Sequence, residues 1–420
     1  MTSATWKKYL LWFANEHVEF RLPPYWVVEL PSEKAVRQIA SRSIGLRCCL
    51  ELWAQAKTEE ELHMNVKAYP LELMKPYFKP ELSFKINVET FCNRQTQAEK
   101  VAKIESFSYL PLEGPVRLKD PDICLQLIEY YGLDSNNIPE KPYELFFGRW
   151  IADGQRDVIT KLSLKTRKFI GNTSMDPQLS LYMANQALVQ NGDLVLDPFK
   201  ERDKDESVHS NMQQYGRGSH YLDVIVADAA LPLWRSTFKL DSIITDPPYG
   251  IREATERIGT TKNYQISDHH LLGHIPSKVE YGLQQIYHDL FRFAAQHLKM
   301  GGRLVCWVPV VRDDYSEDKL PTHPCFQLLA NSEQVLTTYT SRRLLTLEKI
   351  QEPHEEYSRT EANTLMGDFR AKFFRYGEEH RKQRKLRKAL AREAYLQSAA
   401  QREEPTDGES QDRDSSSSER

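Results

Sequence analysis

The spacing of apolar residues along the chain predicts a mixture of strands and amphipathic helices. Residues 84–91 alternate between apolar and polar side chains, which is typical of a strand with one face in a core. Residues 286–298 carry apolar side chains at helical spacing, and so do residues 6–19, so we predict a helix in each. A β-branched and aromatic run at residues 25–30 predicts a further strand.

Residues 240–250 form the most informative run, because an apolar strand stops there at an acid and two prolines. Proline fixes φ and lacks an N–H group, so the strand cannot continue past Asp246. The pattern predicts a rigid loop at the carboxyl end of a strand, where open α/β sheets bind ligands. The Asp246 carboxylate and the Pro247 carbonyl can accept both hydrogens of a planar amine, and Tyr249 can stack on its ring. These residues favour a nucleobase amino group, although an ordinary Pro-Pro turn fits them equally well.

Length and composition narrow the class of protein. A chain of 420 residues that is 40% hydrophobic is expected to form two or three domains. The net charge of −3 excludes a globally basic RNA binder but not a local basic face. Six scattered cysteines without a Cys-x-x-Cys pair predict reduced thiols in an intracellular, cytoplasmic protein. We find no apolar run of transmembrane length and expect no membrane span.

Three motifs together resemble one enzyme family. They are Phe-Gly-Arg-Trp-Ile-Ala-Asp-Gly at 147–154, Gly-Asn-Thr-Ser-Met-Asp at 171–176 and Asp-Pro-Pro-Tyr-Gly-Ile-Arg-Glu at 246–253. In these the chain is similar to the Trm-eleven family of THUMP-containing tRNA (guanine-N2)-methyltransferases, which modify the guanosine at position ten. The likeness runs to about Ile350. It implies an α/β fold with a Rossmann-like class I methyltransferase domain, preceded by an α+β THUMP-containing RNA-binding region.

The resemblance also implies a domain organisation. Residues 1–140 would form an amino-terminal α+β module and the THUMP-like region, although a generic α+β domain fits the residues alone. Residues 141–355 would form the methyltransferase domain. Residues 356–420 form a charged tail that we expect to be partly helical and then disordered. The basic run at 381–388 could contact phosphates, although a solvated lone helix is the interpretation that such a charge run favours.

The resemblance assigns roles to individual residues. The implied catalytic residues are Asp246, Pro247, Pro248 and Tyr249. The implied cofactor-binding residues are Thr173, Ser174, Asp197, Pro198, Asp228 and Ala229. Arg149, Trp150 and Arg252 are implied RNA contacts, although Arg149 and Trp150 also suit a packed interdomain interface. The cofactor would be S-adenosylmethionine, the partners tRNA and a small zinc-containing activator subunit, and the chain itself needs no metal.

The chain departs from the family after Phe199. A charged run at 200–206 stands where the family has a glycine-rich turn, and the next glycine is Gly216. The next predicted strand is 221–228, so one crossover of about 30 residues fits where the family needs two. A second shortening is visible near Pro23. We interpret the chain as an internally deleted variant that lacks one strand–helix unit.

Three functions remain open at this point. The first is an active tRNA methyltransferase. The second is a catalytically inactive variant that binds tRNA or a partner without holding the cofactor. The third is an amino-methyltransferase on DNA or on protein glutamine, which Asp rather than Asn at position 246 and the THUMP-like region argue against.

Overall fold

A computed structural model describes residues 7–13, 24–171, 174–199, 207–225, 227–231, 233–251, 255–260, 277–354 and 369–402. These residues form two compact units. The first comprises Met1–Asn185 and Asp203–Asp223, and the second comprises Gln186–Arg202 and Val224–Arg420.

The first unit contains a six-stranded sheet in the order β2-β1-β3-β6-β5-β4. Its strands are β1 Lys7–Phe13, β2 Tyr25–Leu30, β3 Leu46–Ala56, β4 Phe84–Phe91, β5 Ile123–Tyr130 and β6 Glu144–Asp153. Only the β4–β5 pair is parallel among these described strands. Strand β6 lies beyond the boundary predicted at residue 140, yet it pairs with β3 and β5 of this sheet.

The first unit also contains helices. They are α1 Glu33–Arg42, α2 Glu59–Ala68, α3 Leu71–Met74, α4 Gln97–Glu105, α5 Arg156–Lys161, α6 Pro177–Gln186 and α7 Val208–Gln214, of which α6 ends at the unit boundary. The hydroxyl of Ser32 accepts a hydrogen bond from the Ala35 amide and so begins α1. Thr96 and Glu99 begin α4 with a reciprocal capping box.

The predicted helix at residues 6–19 is wrong, because residues 7–13 form strand β1. Tyr9, Leu10, Leu11 and Trp12 are all buried, so both faces of this strand are covered. A strand buried on both faces carries a continuous apolar run, which helical spacing also fits. Residues 14–19 of the predicted helix lie outside the described residues. The strands predicted at 25–30 and 84–91 are confirmed.

The second unit contains a five-stranded sheet in the order β12-β13-β11-β8-β7. Its strands are β7 Val195–Leu196, β8 Leu240–Thr245, β11 Leu298–Val311, β12 Phe326–Val335 and β13 Thr340–Lys349. Strands β7, β8 and β11 run parallel, and β13 pairs antiparallel with both β11 and β12. A separate ribbon joins β9 Glu256–Ile258 to β10 Lys278–Glu280.

Helix α8 Leu283–His297 completes a β-α-β crossover from β8 to β11. Its Leu290, Phe291 and Ala294 are buried in one core with Ile243 and Leu304 of the two strands. The helix predicted at 286–298 is therefore confirmed. The last described helix is α9 Phe369–Arg402.

Strand β7 has two residues and ends the sheet as far as the described residues go. Residues 221–225, 227 and 228 form no strand, although the sequence predicted one there. Leu222 and Ile225 are 78% and 65% exposed, so neither is buried as a sheet interior would require. The chain thus carries less parallel sheet before β8 than the pattern predicted.

None of the described helices combines the length and the apolar character that crossing a bilayer requires. Helix α8 has 15 residues, and a spanning helix needs about 20 apolar ones. Helix α9 has 34 residues but is rich in charge.

Candidate active site

The loop 246–250 follows β8 at the carboxyl end of the parallel strands. Pro247 and Gly250 are buried, whereas Asp246 and Tyr249 are half-buried. Gly250 has φ +72°, and a Cβ there would lie 3.3 Å from Thr255 Oγ1, so the turn favours glycine. The two prolines and the positive φ of Gly250 restrict the backbone conformations that this loop can adopt.

The Asp246 carboxylate is held from two sides. Its Oδ1 accepts a hydrogen bond from the Tyr249 hydroxyl, and its Oδ2 accepts one of 2.6 Å from Arg342 Nη1. The Asp246 side chain is still 27% exposed, against 12% for Arg342. Each carboxylate oxygen can accept more than one hydrogen bond, so Asp246 keeps acceptor capacity toward solvent.

Arg342 of β13 is a site residue that sequence reasoning missed. Its guanidinium lies 4.2 Å from the Trp307 ring centroid, and its Nε donates to Gln334 Oε1 over 2.7 Å. These contacts leave Nη1 aimed at Asp246. The only signal in the sequence was an arginine pair inside a predicted strand, and which arginine faces the site depends on sheet register.

Burial sets the acid–base properties of the loop. Burial raises the pKa of Asp246 above its ordinary value, and the Arg342 charge and the two hydrogen bonds oppose that increase. Burial and the Asp246 charge raise the pKa of Tyr249 well above its ordinary value. Tyr249 is therefore a neutral donor to Asp246 across the physiological range.

Asp197 follows β7 and lies beside the end of β8. Its Oδ1 accepts hydrogen bonds from Thr245 Oγ1 over 2.8 Å and from the Phe199 amide over 3.2 Å. Because Thr245 directly precedes Asp246, this bond joins the end of β7 to the beginning of the loop. Asp197 and Pro198 thus lie at the same sheet edge as the predicted catalytic residues.

The other predicted cofactor residues are less closely tied to the loop. Asp228 accepts from the Ala230 amide over 2.9 Å and from the Ile258 amide over 2.6 Å, which fixes the β9 ribbon. Ser174 belongs to the first unit, and its amide donates to the Gly171 carbonyl. Thr173 and Arg252 lie outside the described residues.

The prediction that Arg149 faces RNA needs correction, because its guanidinium is used inside the first unit. Its Nε and Nη2 donate to Glu51 Oε2 over 2.9 and 2.7 Å, and Nη2 also donates to Glu33. The guanidinium lies 4.0 Å from the centroid of the Tyr77 ring. Trp150 is half-buried and donates from Nε1 to Asp153 Oδ1 over 2.9 Å. The pairing of β6 with β3 places Arg149 opposite Glu51, so its side chain binds that carboxylate.

The described residues include no cluster of three or more His, Cys, Asp or Glu side chains arranged to hold a metal ion. Helix α9 contacts the loop 246–250, since its Phe369 ring packs edge to face on Tyr249 with ring centroids 6.5 Å apart. Sequence reasoning gave α9 no place near the loop.

Comparison with known proteins gives consistent matches. The family model of the Tmrp11 THUMP N-terminal domain matches residues 21–156. The chain is 39% identical to the tRNA (guanine(10)-N(2))-methyltransferase TRMT11 of Gallus gallus, over 86% of this chain and 91% of the relative. It is 40% identical to the Xenopus laevis protein of that name, over 85% and 87%, and 32% identical to the Dictyostelium discoideum one, over 78% and 73%. Among solved structures, TrmN from Thermus thermophilus matches with 18% identity and a TM-score of 0.37, covering 82% of this chain and 100% of that one.

Proposed function

The chain belongs to the TRMT11 family of tRNA (guanine(10)-N(2))-methyltransferases, and we propose that it methylates the N2 amino group of a guanosine in tRNA. Identity of 39% over most of both chains and the THUMP N-terminal match carry the assignment. The Asp246 loop at the end of β8 is the observation that carries the chemistry. The expected α/β fold class with an amino-terminal THUMP region is confirmed.

The proposed substrate amine, guanine N2, is a weak nucleophile. The lone pair on guanine N2 is delocalised into the ring, so the amine must be polarised before it attacks. The Asp246 carboxylate and the Pro247 carbonyl would accept its two hydrogens and direct the lone pair away from the ring. Tyr249 would lie against the flipped base. Positioning and preorganised electrostatics, rather than a covalent intermediate, would supply most of the rate.

Asp246 would also hold the proton that leaves the methylated amine. Burial makes its carboxylate more basic than an exposed one, whereas Arg342 keeps it charged before the reaction. Both effects are needed, because a protonated carboxyl could neither polarise the amine nor accept the proton.

S-adenosylmethionine supplies the methyl group as an electrophile. Asp197 and Pro198 at the end of β7, with Asp228 and Ala229, would hold it, and Thr173 and Ser174 are further proposed contacts. Carboxylate acceptors suit its ammonium and ribose hydroxyl groups. The bond from Thr245 to Asp197 supports this arrangement, because it fixes a cofactor acceptor next to the catalytic loop.

Two observations favour weak cofactor binding. Strand β7 has two residues, and the sequence has no glycine between Asp197 and Gly216 to let the backbone approach a cofactor. The alignment with the Gallus gallus relative is 424 positions long, but only 86% of the 420 residues of this chain take part in it. Some aligned positions of the relative therefore have no counterpart in this chain. This chain therefore carries internal gaps, which support the proposed deletion. An inactive, tRNA-binding variant is the second candidate function.

The remaining proposals rest on the family resemblance. We propose that the amino-terminal THUMP region binds the tRNA, with Trp150 and Arg252 as contacts. We also propose that a small zinc-containing activator subunit docks on this chain and that the complex acts in the cytoplasm.

Two measurements test the proposed function. Calorimetry with the chain and its activator co-expressed should detect S-adenosylmethionine binding, and a folded protein that binds none would be the inactive variant. Methyl transfer should then be measured on a tRNA transcript and on the same transcript with inosine at position ten. Inosine lacks the N2 amine, so transfer to both transcripts would refute the assignment.

A further inference from the structure

Helix α9 is anchored beside the catalytic loop. Phe369 is 5% exposed and packs edge to face on Tyr249. Two turns further on, Tyr376 stacks on Tyr339 with centroids 5.9 Å apart. A Cβ at Gly377 would lie 3.2 Å from the Tyr339 hydroxyl, so glycine permits this approach. The beginning of α9 is thus part of the second unit.

An ion pair strengthens the anchor. Lys372 Nζ lies 2.6 Å from Asp314 Oδ2, and Lys319 Nζ lies 2.6 Å from Oδ1 of the same carboxylate. Hydrogen bonds from these two lysines lower the pKa of Asp314 to about 2. The carboxylate therefore stays charged at any pH at which the protein would be assayed.

Beyond the anchor the helix changes character. Every side chain from Arg381 to Tyr395 is exposed. The stretch from 381 to 392 contains seven basic residues and no acidic one. The seven are Arg381, Lys382, Arg384, Lys385, Arg387, Lys388 and Arg392. Within the described part of the chain, none of them forms an ion pair with a carboxylate.

Four of these cations form a stripe along one face. At about 100° per residue, Arg381, Lys385, Lys388 and Arg392 fall within roughly 60° of one another and span about 16 Å of helix. The anchoring face, with Phe369 and Phe373, lies roughly 120° around the helix axis from them. The stripe therefore does not face the anchoring contacts.

The stripe differs from an ordinary solvated helix face. Solvated single helices pair acids with bases three or four residues apart, whereas like charges at this spacing destabilise a helix. Arg381, Lys385 and Lys388 are related by such spacings with no acid among them. A bound polyanion would remove the repulsion, and a nucleic acid duplex carries roughly one charge per 1.7 Å of its axis.

We propose that this stripe binds the phosphate backbone of the tRNA whose guanine is in the active site. The inference rests on the proposed function and adds a second tRNA-binding surface to it. Arg381 lies 12 residues beyond Phe369, which places it about 18 Å along the helix from the catalytic loop. The helix would thus hold the backbone at a fixed distance from the reacting base.

Two matched double variants test the proposal in the full-length protein. K385Q/K388Q removes two charges from the stripe, and K382Q/R387Q removes two from other faces of the same helix. Glutamine keeps helix propensity, which circular dichroism verifies. Fluorescence anisotropy with labelled tRNA should show Kd raised roughly 5–10-fold for K385Q/K388Q and the slope of log Kd against log salt lowered by about 1–2. K382Q/R387Q should change both much less.

Equal losses in the two variants would indicate non-specific attraction and overturn the stripe. If neither variant loses affinity for tRNA, the proposal that the stripe binds tRNA is also overturned. The stripe would then suit another partner, such as an acidic protein or the acidic carboxyl segment of this chain. Transfer kinetics separate this inference from the proposed function. If the wild-type chain methylates tRNA and K385Q/K388Q has an unchanged KM for tRNA, only the inference fails. If the wild-type chain transfers nothing but its tRNA affinity depends on the stripe, only the proposed activity fails.

Discussion

The two units each contain an arginine that binds a carboxylate while lying over an aromatic ring. In the first unit, Arg149 binds Glu51 and lies 4.0 Å from the Tyr77 centroid. In the second, Arg342 binds Asp246 and lies 4.2 Å from the Trp307 centroid. The chemistry of the two pairs is the same, but their surroundings differ.

The Glu51 pair is sealed from solvent and accepts more hydrogen bonds than Asp246 does. The Glu51 side chain is 1% exposed, its Oε2 takes two hydrogen bonds from Arg149, and its Oε1 takes one from Lys7 over 2.5 Å. Asp246 is 27% exposed and takes one bond from Arg342 and one from Tyr249. A sealed pair can only support the fold, whereas an open one can exchange partners with a ligand. Burial and remaining acceptor capacity, rather than residue type, separate the structural pair from the pair proposed for catalysis.

Asp246→Ala should have the largest effect on activity. Without the carboxylate, the guanine amine is neither polarised nor deprotonated, so transfer should fall about 10³-fold or more. Affinity for tRNA should be within twofold of wild type, as measured by anisotropy. Asp241→Ala, in the same strand but paired with Lys299, is the control and should retain activity. Turnover retained by Asp246→Ala would refute the catalytic role proposed for this carboxylate.

Arg149→Met should have the largest effect on stability. It leaves the buried Glu51 carboxylate with Lys7 as its remaining cation, which costs about 3 kcal/mol in the free energy of unfolding. Urea denaturation measures this cost. Arg37→Met is the control, because Arg37 pairs with Glu33 at the surface and should cost less than about 1 kcal/mol.

The double variant Arg149→Met with Glu51→Leu tests whether the buried pair acts as one structural unit. Replacing both members of a buried pair by apolar residues is often neutral, so much of the lost stability should return. A double variant as unstable as the sum of both single variants would mean that the pair is not an isolated structural unit.

The same contrast shows what the sequence could predict. Asp246 was found because two prolines must end a strand, which is a local constraint. Arg149 was misjudged as an RNA contact, because its inward direction depends on the pairing of β6 with β3, almost a hundred residues away in sequence. Arg342 was missed for the same reason, since its register against β11 and β12 aims it at the loop. A motif at a turn can be predicted from local rules. The side chains that distant strands place beside it cannot, because they depend on sheet register.

The helices and strands show the same difference between local and long-range constraints. Strand β8 and helix α8 were predicted correctly, because one ends in prolines and the other is clearly amphipathic. Strand β1 was predicted as a helix, because four consecutive buried residues carry no period. The strand predicted at 221–228 rested on an apolar run alone, and the described residues there pair with no strand.

Arg342→Gln should alter the pH dependence of transfer. Within the part of the chain that the structure describes, the ionisable groups that interact with Asp246 include Arg342, Tyr249, Tyr287 of α8 and Cys306 of β11. Arg342 is the cation that lowers the pKa of Asp246 against burial. Its removal should raise that pKa, and activity requires the carboxylate, so the acid limb of kcat should move about one unit to higher pH.

At neutral pH we expect the same variant to lose roughly tenfold in kcat, about 1.4 kcal/mol. Arg343→Gln is the matched control, because Arg343 binds Asn331 and lies over Tyr315, away from Asp246. If both variants lower kcat without moving the acid limb, Arg342 only supports the sheet. The two arginine–carboxylate pairs would then both be structural.

Thr245→Val should have the smallest effect. It tests whether Asp197 acts in the same proposed site as the partly exposed Asp246–Arg342 pair. The substitution keeps the shape of a buried side chain but removes the hydroxyl that donates to Asp197 Oδ1 over 2.8 Å. A lost hydrogen bond of this kind costs about 1 kcal/mol, so the Kd for S-adenosylmethionine should rise about fivefold in calorimetry, with tRNA affinity unchanged. Thr346→Val is the control, because its buried hydroxyl makes a longer contact of 3.4 Å with Gln186. Equal losses in both variants would indicate general loosening of the sheet. A loss confined to Thr245→Val would mean that cofactor and base are held by one connected set of acceptors at the edge of β7 and β8.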